Sequence, residues 1–182
     1  MNIVSLEPTP NPNAFKFNLS EDLSGGVPRS YQNVDAAKDD PLAAQIYDIE
    51  GVESVFYLGS FLTVSIYDGQ DWETVVKAVG KAILNVDDEM LETLRNLTST
   101  DNEDPETDEL KSKINGILDE MVRPALANDG GGLDLLGIDG NSVFIRYQGA
   151  CGTCPSATTG TLSAIERLLR HQINPEINVI PS

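Results

Sequence analysis

This chain of 182 residues holds two cysteines and one histidine, its only thiol and imidazole side chains. Cys151 and Cys154 stand three apart in Gln148-Gly149-Ala150-Cys151-Gly152-Thr153-Cys154-Pro155-Ser156, and the histidine is His171. A self-contained tetrahedral zinc site of four cysteines, or of two cysteines and two histidines, cannot be built from one chain. No HExxH pair, Walker-type phosphate loop or GxSxG elbow is present. A Ser-His-Asp or Cys-His device would have to use His171. That residue falls at the end of a predicted helix, where a cation meets the helix dipole favourably. No catalytic set is visible, and the chain reads as a non-enzyme.

The cysteine pair carries the chemistry. Its segment lies between a predicted strand and a predicted helix that opens at Pro155, a favoured first helical position. Backbone N–H groups and the positive end of the helix dipole favour thiolate there. Gly149 and Gly152 let the backbone approach whatever the sulfurs hold. Packing alone is a poor account of two cysteines in a loop of small residues. Three chemistries fit the spacing: a thiol–disulfide redox centre, a zinc site completed by another chain, and half of an iron–sulfur site. Against the first, a thioredoxin-like unit places a βαβ element ahead of the motif, whereas here a helix and a hairpin precede it.

The elements that position this loop form an α+β pattern. In the first half, strands are expected over 2–7 and 13–19, separated by Pro8, Pro10 and Pro12. A helix follows over 41–49, with Leu42, Ile46 and Ile49 on one face, then a hairpin of 53–58 with 61–67 through Gly59-Ser60. A second helix starts after Asp71 and buries Trp72, Val75, Val76, Val79 and Ile83, with residues 87–97 extending it or forming another. The second half reads α-β-β-α-β. Leu110, Ile114, Ile117, Leu118, Met121 and Ala125 mark its first helix, bent by Pro124 and stopped at Asn128-Asp129-Gly130-Gly131-Gly132. Strands 133–138 and 142–148 flank Asp139-Gly140-Asn141, a helix runs over 155–172, and a short strand covers 177–180.

Charge divides the chain in the same way. Residues 1–100 carry 16 acidic and 6 basic side chains, residues 101–109 carry 6 acidic and none basic, and residues 110–182 carry 7 and 6. Nine of the 11 aromatic residues fall in the first hundred. Residues 98–109 have no large apolar side chain and too little surface to offset ordering entropy, so they read as a mobile acidic linker between domains 1–97 and 110–182. A net charge of −17 argues against nucleic acid or an anionic membrane as partner. No apolar run is long enough to span a bilayer, and the opening Met1-Asn2-Ile3-Val4 has no signal or transit character. A cytoplasmic address is the expectation that follows.

Several separated motifs resemble one family. Val122-Arg123-Pro124-Ala125-Leu126, Asp129-Gly130-Gly131, Gly149-Ala150-Cys151-Gly152-Thr153-Cys154-Pro155-Ser156 and Ile165-Glu166 resemble the scaffold domain of the Nfu (NifU-like) iron–sulfur proteins. Glu7-Pro8-Thr9-Pro10-Asn11-Pro12-Asn13, Phe15-Lys16-Phe17, Pro41-Leu42-Ala43 and Ile49-Glu50-Gly51-Val52 resemble the amino-terminal domain of the same family. Ala157 stands where that family usually carries a second serine. The resemblance implies a carrier in which two chains hold one [4Fe–4S] cluster, or the smaller [2Fe–2S] form, between their cysteine pairs. Cys151 and Cys154 would be its ligands. The implied partners are the upstream cluster assembly machinery, apo iron–sulfur proteins as recipients, and a second copy in a cluster-bridged homodimer. A four-thiolate [4Fe–4S] core carries a charge of about −2, which suits the near-neutral half better than the acidic one. An exposed loop would suit release of the cargo.

Overall fold

Short polar side chains open the helices of the amino-terminal half. Asn33 accepts a hydrogen bond from the Ala36 amide (2.9 Å) and starts α1 (Val34–Ala37). Asp40 accepts from the Leu42 and Ala43 amides (3.0 and 2.8 Å) and starts α2 (Pro41–Tyr47). Asp71 caps α3 (Trp72–Leu84) through the Glu73 amide, and Asp87 caps α4 (Asp88–Asn96) through the Met90 amide. Each oxygen satisfies an N–H group that the first turn leaves without a partner in the helix.

The computed structural model describes residues 1–97, 108–152 and 155–181. The chain divides into two units, residues 1–100 and 101–182. Both mix helices with sheet, which is the α+β class that the sequence predicts. Residues 98–107 of the expected linker lie outside the described residues; 108 and 109 belong to the next helix.

The first unit is a five-stranded antiparallel sheet in the order β1-β2-β5-β4-β3. Its strands are β1 (Ile3–Pro8), β2 (Ala14–Leu19), β3 (Arg29–Tyr31), β4 (Val52–Leu58) and β5 (Phe61–Ile66). Phe17, Val55, Tyr57, Leu62 and Val64 from the sheet share a core with Leu42, Ile46, Val79, Ile83, Leu91 and Leu94 from the helices. Two expectations change. β3 and α1 have no counterpart in the sequence reading, because three or four residues are too few to show a period. Trp72 is not a core residue: it is 50% exposed, and its ring stacks on Phe15 with centroids 5.2 Å apart.

The second unit runs α5 (Asp108–Met121), α6 (Arg123–Asn128), β6 (Gly131–Asp139), β7 (Ser142–Gly149), α7 (Pro155–Gln172) and β8 (Asn178–Pro181). β6 and β7 form the expected hairpin, and β8 pairs with β7 in parallel. A parallel neighbour needs a crossover connection, which α7 provides. Ile114, Leu118, Ile145, Ile165 and Leu169 are fully or almost fully buried at the centre of its core. The expected single bent helix is two, with Pro124 in the first turn of α6. This break turns Val122 and Leu126 inward and leaves Met121 and Ala125 exposed, against expectation.

Candidate metal centre

β7 ends at Gly149 and α7 opens at Pro155, so Cys151 sits in the strand-to-helix loop where the sequence places it. Cys154, the second expected ligand, lies outside the described residues. His171 is exposed in the last turn of α7, far along the helix from the loop, as expected of a residue placed for the dipole.

The loop is not fully exposed, which corrects the expectation. Cys151 is only 6% exposed and joins the apolar core that contains Tyr147, Leu133 and Ile165. Two glycines make this possible. Gly131 and Gly149 pair across β6 and β7, and a Cβ built on Gly131 would stand 2.5 Å from the Cys151 Sγ. The sulfur occupies the volume of the missing side chain. On its other side, a Cβ on Gly152 would meet the Tyr147 carbonyl oxygen at 3.0 Å. Ala150 N–H donates to the Gly130 carbonyl (3.2 Å), and Gly152 N–H donates to that of Gly149 (3.0 Å), closing the turn around the cysteine.

Sequence reasoning treated Gly130, Gly131 and Gly132 together as a helix stop and missed the role of Gly131. One glycine suffices for that stop: Gly130, with φ 75°, follows the α6 cap at Asp129. The two further glycines were the available signal. Arg123 is a second omission. Its Nε donates to the Leu133 carbonyl (3.1 Å), one Nη to Asp119 (2.5 Å) and the other to Asn115 (2.9 Å). This single guanidinium ties α5 and α6 to β6, the strand that floors the cysteine. At the far end of α7, Glu166 accepts from the Val179 amide (3.1 Å) and Arg170 Nε donates to the Ile177 carbonyl (2.6 Å), fastening β8.

The Tyr147 hydroxyl is buried with no hydrogen-bond partner among the described residues, and the Gln148 Oε1 is in the same position. Burial, with a further contribution from Cys151, pushes the Tyr147 phenol up to about 12. Among the described residues no group of three or more His, Cys, Asp or Glu side chains is arranged to hold a metal ion. A cluster at Cys151 would draw its remaining ligands from outside that set.

Comparison with known proteins agrees with the geometry. Residues 114–180 match the NifU-like domain, and residues 4–89 match the amino-terminal domain of the scaffold protein Nfu/NifU. The chain belongs to the Nfu family and carries both of its domains. It is 29% identical to the "NFU1 iron-sulfur cluster scaffold homolog, mitochondrial" of Drosophila erecta, over 97% of this chain and 63% of that protein. It is 30% identical to the "NifU-like protein 4, mitochondrial" of Arabidopsis thaliana, over 94% of this chain and 62% of that protein. The chain thus spans less than two thirds of either relative. A solved Staphylococcus aureus structure, protein SAV1430, is 34% identical over 46% of this chain and 99% of its own, with a TM-score of 0.42.

The cytoplasmic expectation is overturned, since both relatives are mitochondrial by name.

Proposed function

We propose that this chain is an iron–sulfur cluster carrier, not an enzyme, in which Cys151 and Cys154 of two chains hold one [4Fe–4S] cluster and surrender it to apo-proteins. The observation that carries this reading is the Cys151 thiol, seated in a cradle of glycines ahead of an 18-residue helix. Relatives named as iron–sulfur cluster scaffolds support it. The positive end of α7 lowers the cost of a thiolate in the loop. The cluster is cargo, supplied by upstream assembly machinery.

Sharing a cluster across two chains requires each Cys151 sulfur to face outward. Here it faces the core. Loading therefore includes a turn of the loop about Gly149 and Gly152, the glycines that flank Ala150-Cys151. Gly149 already holds a φ of 61°, a region open to glycine at little cost.

Anaerobic incubation with ferrous iron and sulfide tests the reading. A broad visible absorbance band is expected, together with a dimer on size-exclusion chromatography holding about four irons per two chains. Four irons on a monomer would overturn the shared-ligand arrangement, and a colourless protein would overturn the carrier itself.

A further inference from the structure

The first unit leaves an apolar strip uncovered beside its edge strand. β1 ends the sheet, with Leu6 opposite Phe17 and Pro8 opposite Phe15. Phe17 belongs to the core, so Leu6 projects from the helix-bearing face, yet it is 42% exposed. α3 lines the same margin. Its first residue, Trp72, stacks on Phe15 at 22° between rings, and two turns on a Cβ at Gly80 would lie 3.6 Å from Ile3 Cδ1. Val76 sits between them, half-buried. Val4, where the β1–β2 register shifts, is 69% exposed.

The rim of this strip is acidic. Asp71 and Glu73 flank Trp72 and are exposed, whereas Glu7, next to Leu6 in the strand, points to the opposite face of the sheet. Lys77 lies one helical turn along α3, but its Nζ is 2.6 Å from Glu73 Oε1. An aromatic centre within a charged margin is the anatomy of a protein-binding surface, and tryptophan is enriched among residues that dominate such contacts.

Charge selects the occupant. A second copy of this chain would bring the same acidic rim, and a nucleic acid or anionic membrane would be repelled by a unit with 16 acidic and 6 basic side chains. We infer that the Leu6–Trp72 strip docks a segment of a partner protein in which an aliphatic side chain is flanked by lysine or arginine. The aliphatic group covers Leu6 and the Trp72 ring, and the cations meet Asp71 and Glu73. This site lies outside the cysteine loop, so its failure and failure of the cluster reading are separate results.

Trp72 is the chain's only tryptophan and reports directly on its own burial. The probe is a short peptide alternating lysine with leucine, and its control replaces every leucine by serine. In the full chain, the lysine–leucine peptide should shift Trp72 emission to the blue in a saturable way, while the control leaves it in place. Leu6→Asp should weaken the lysine–leucine peptide by about tenfold or more. Glu73→Lys, at an exposed position beside Trp72, should weaken it as well and covers the case in which circular dichroism shows that Leu6→Asp disturbs the strand. Equal response to both peptides, binding without a change in Trp72 emission, or a folded Glu73→Lys protein that binds as tightly as the original would each overturn the proposal.

Discussion

Gly131 holds open the space in which Cys151 stores its sulfur. A Cβ at Gly131 would stand 2.5 Å from that Sγ and 2.9 Å from the Gln148 carbonyl oxygen. The sulfur can rotate away; the carbonyl belongs to the β7 backbone and cannot. The pairing of β6 with β7 is thus tied to the seat of the expected ligand, through residues twenty apart in sequence.

Gly131→Ala should therefore cost about 1–3 kcal/mol, the range for forcing extra carbon into a packed site. The matched control is Gly116→Ala, in α5, where a Cβ meets nothing within 4 Å. It should stabilise by roughly 0.5–1 kcal/mol because alanine loses less backbone freedom in a helix. Urea unfolding of the apo-proteins measures both. Equal midpoints for the two variants would show that the glycine cradle is not under steric constraint.

Cys151→Ser and Cys154→Ser should each remove the visible band after reconstitution. At Cys151 the substitution should also lower apo-protein stability by about 1–3 kcal/mol, because a serine hydroxyl would be buried in an apolar cluster. Cys151→Ala should lose the cluster with a smaller cost in stability. Thermal unfolding followed by circular dichroism separates the cases. A Cys151→Ser protein as stable as the original would place the sulfur outside the core.

The first unit has its own buried polar centre. Asp40 caps α2 and accepts hydrogen bonds from the Tyr57 hydroxyl and, at 2.7 Å, the Tyr31 hydroxyl. Asp40→Ala should cost about 2–4 kcal/mol, since it removes a helix cap and strands two phenols.

The same centre sets a pH dependence. Burial first, then the Asp40 charge, raises both phenols well above the usual tyrosine value of about 10. The folded state therefore keeps protons that the unfolded chain releases. Stability is fully present below about pH 10 and falls as pH rises further. Denaturation midpoints should decline as pH rises above about 10, and Tyr57→Phe should flatten the decline. A slope unchanged in Tyr57→Phe would assign it to other groups.

Composition alone leads us to propose the acidic segment 98–109 as the boundary between domains. Brief digestion with a protease that cleaves after acidic residues should cut there and leave two fragments with cooperative unfolding. Cuts concentrated inside α3 or β7 would count against the division.

The sequence by itself determined the elements that have a period to read. Asp71 with its apolar run announces α3, the turn after Asp139 announces the β6–β7 hairpin, and Pro155 announces the start of α7. It also put the chain's two cysteines three residues apart, between a strand and a helix. Tertiary structure decided the rest. The order β1-β2-β5-β4-β3, the three-residue β3 and the exposure of Trp72 depend on which strand and helix meet across the sheet. The inward turn of Val122 and Leu126 depends on where the chain breaks before Pro124. The burial of Cys151 depends on Gly131, which reaches it only when β6 and β7 pair with Gly131 opposite Gly149. Local patterns record how a segment is built, while a contact between distant residues is created by the register of strands, and no local pattern carries it.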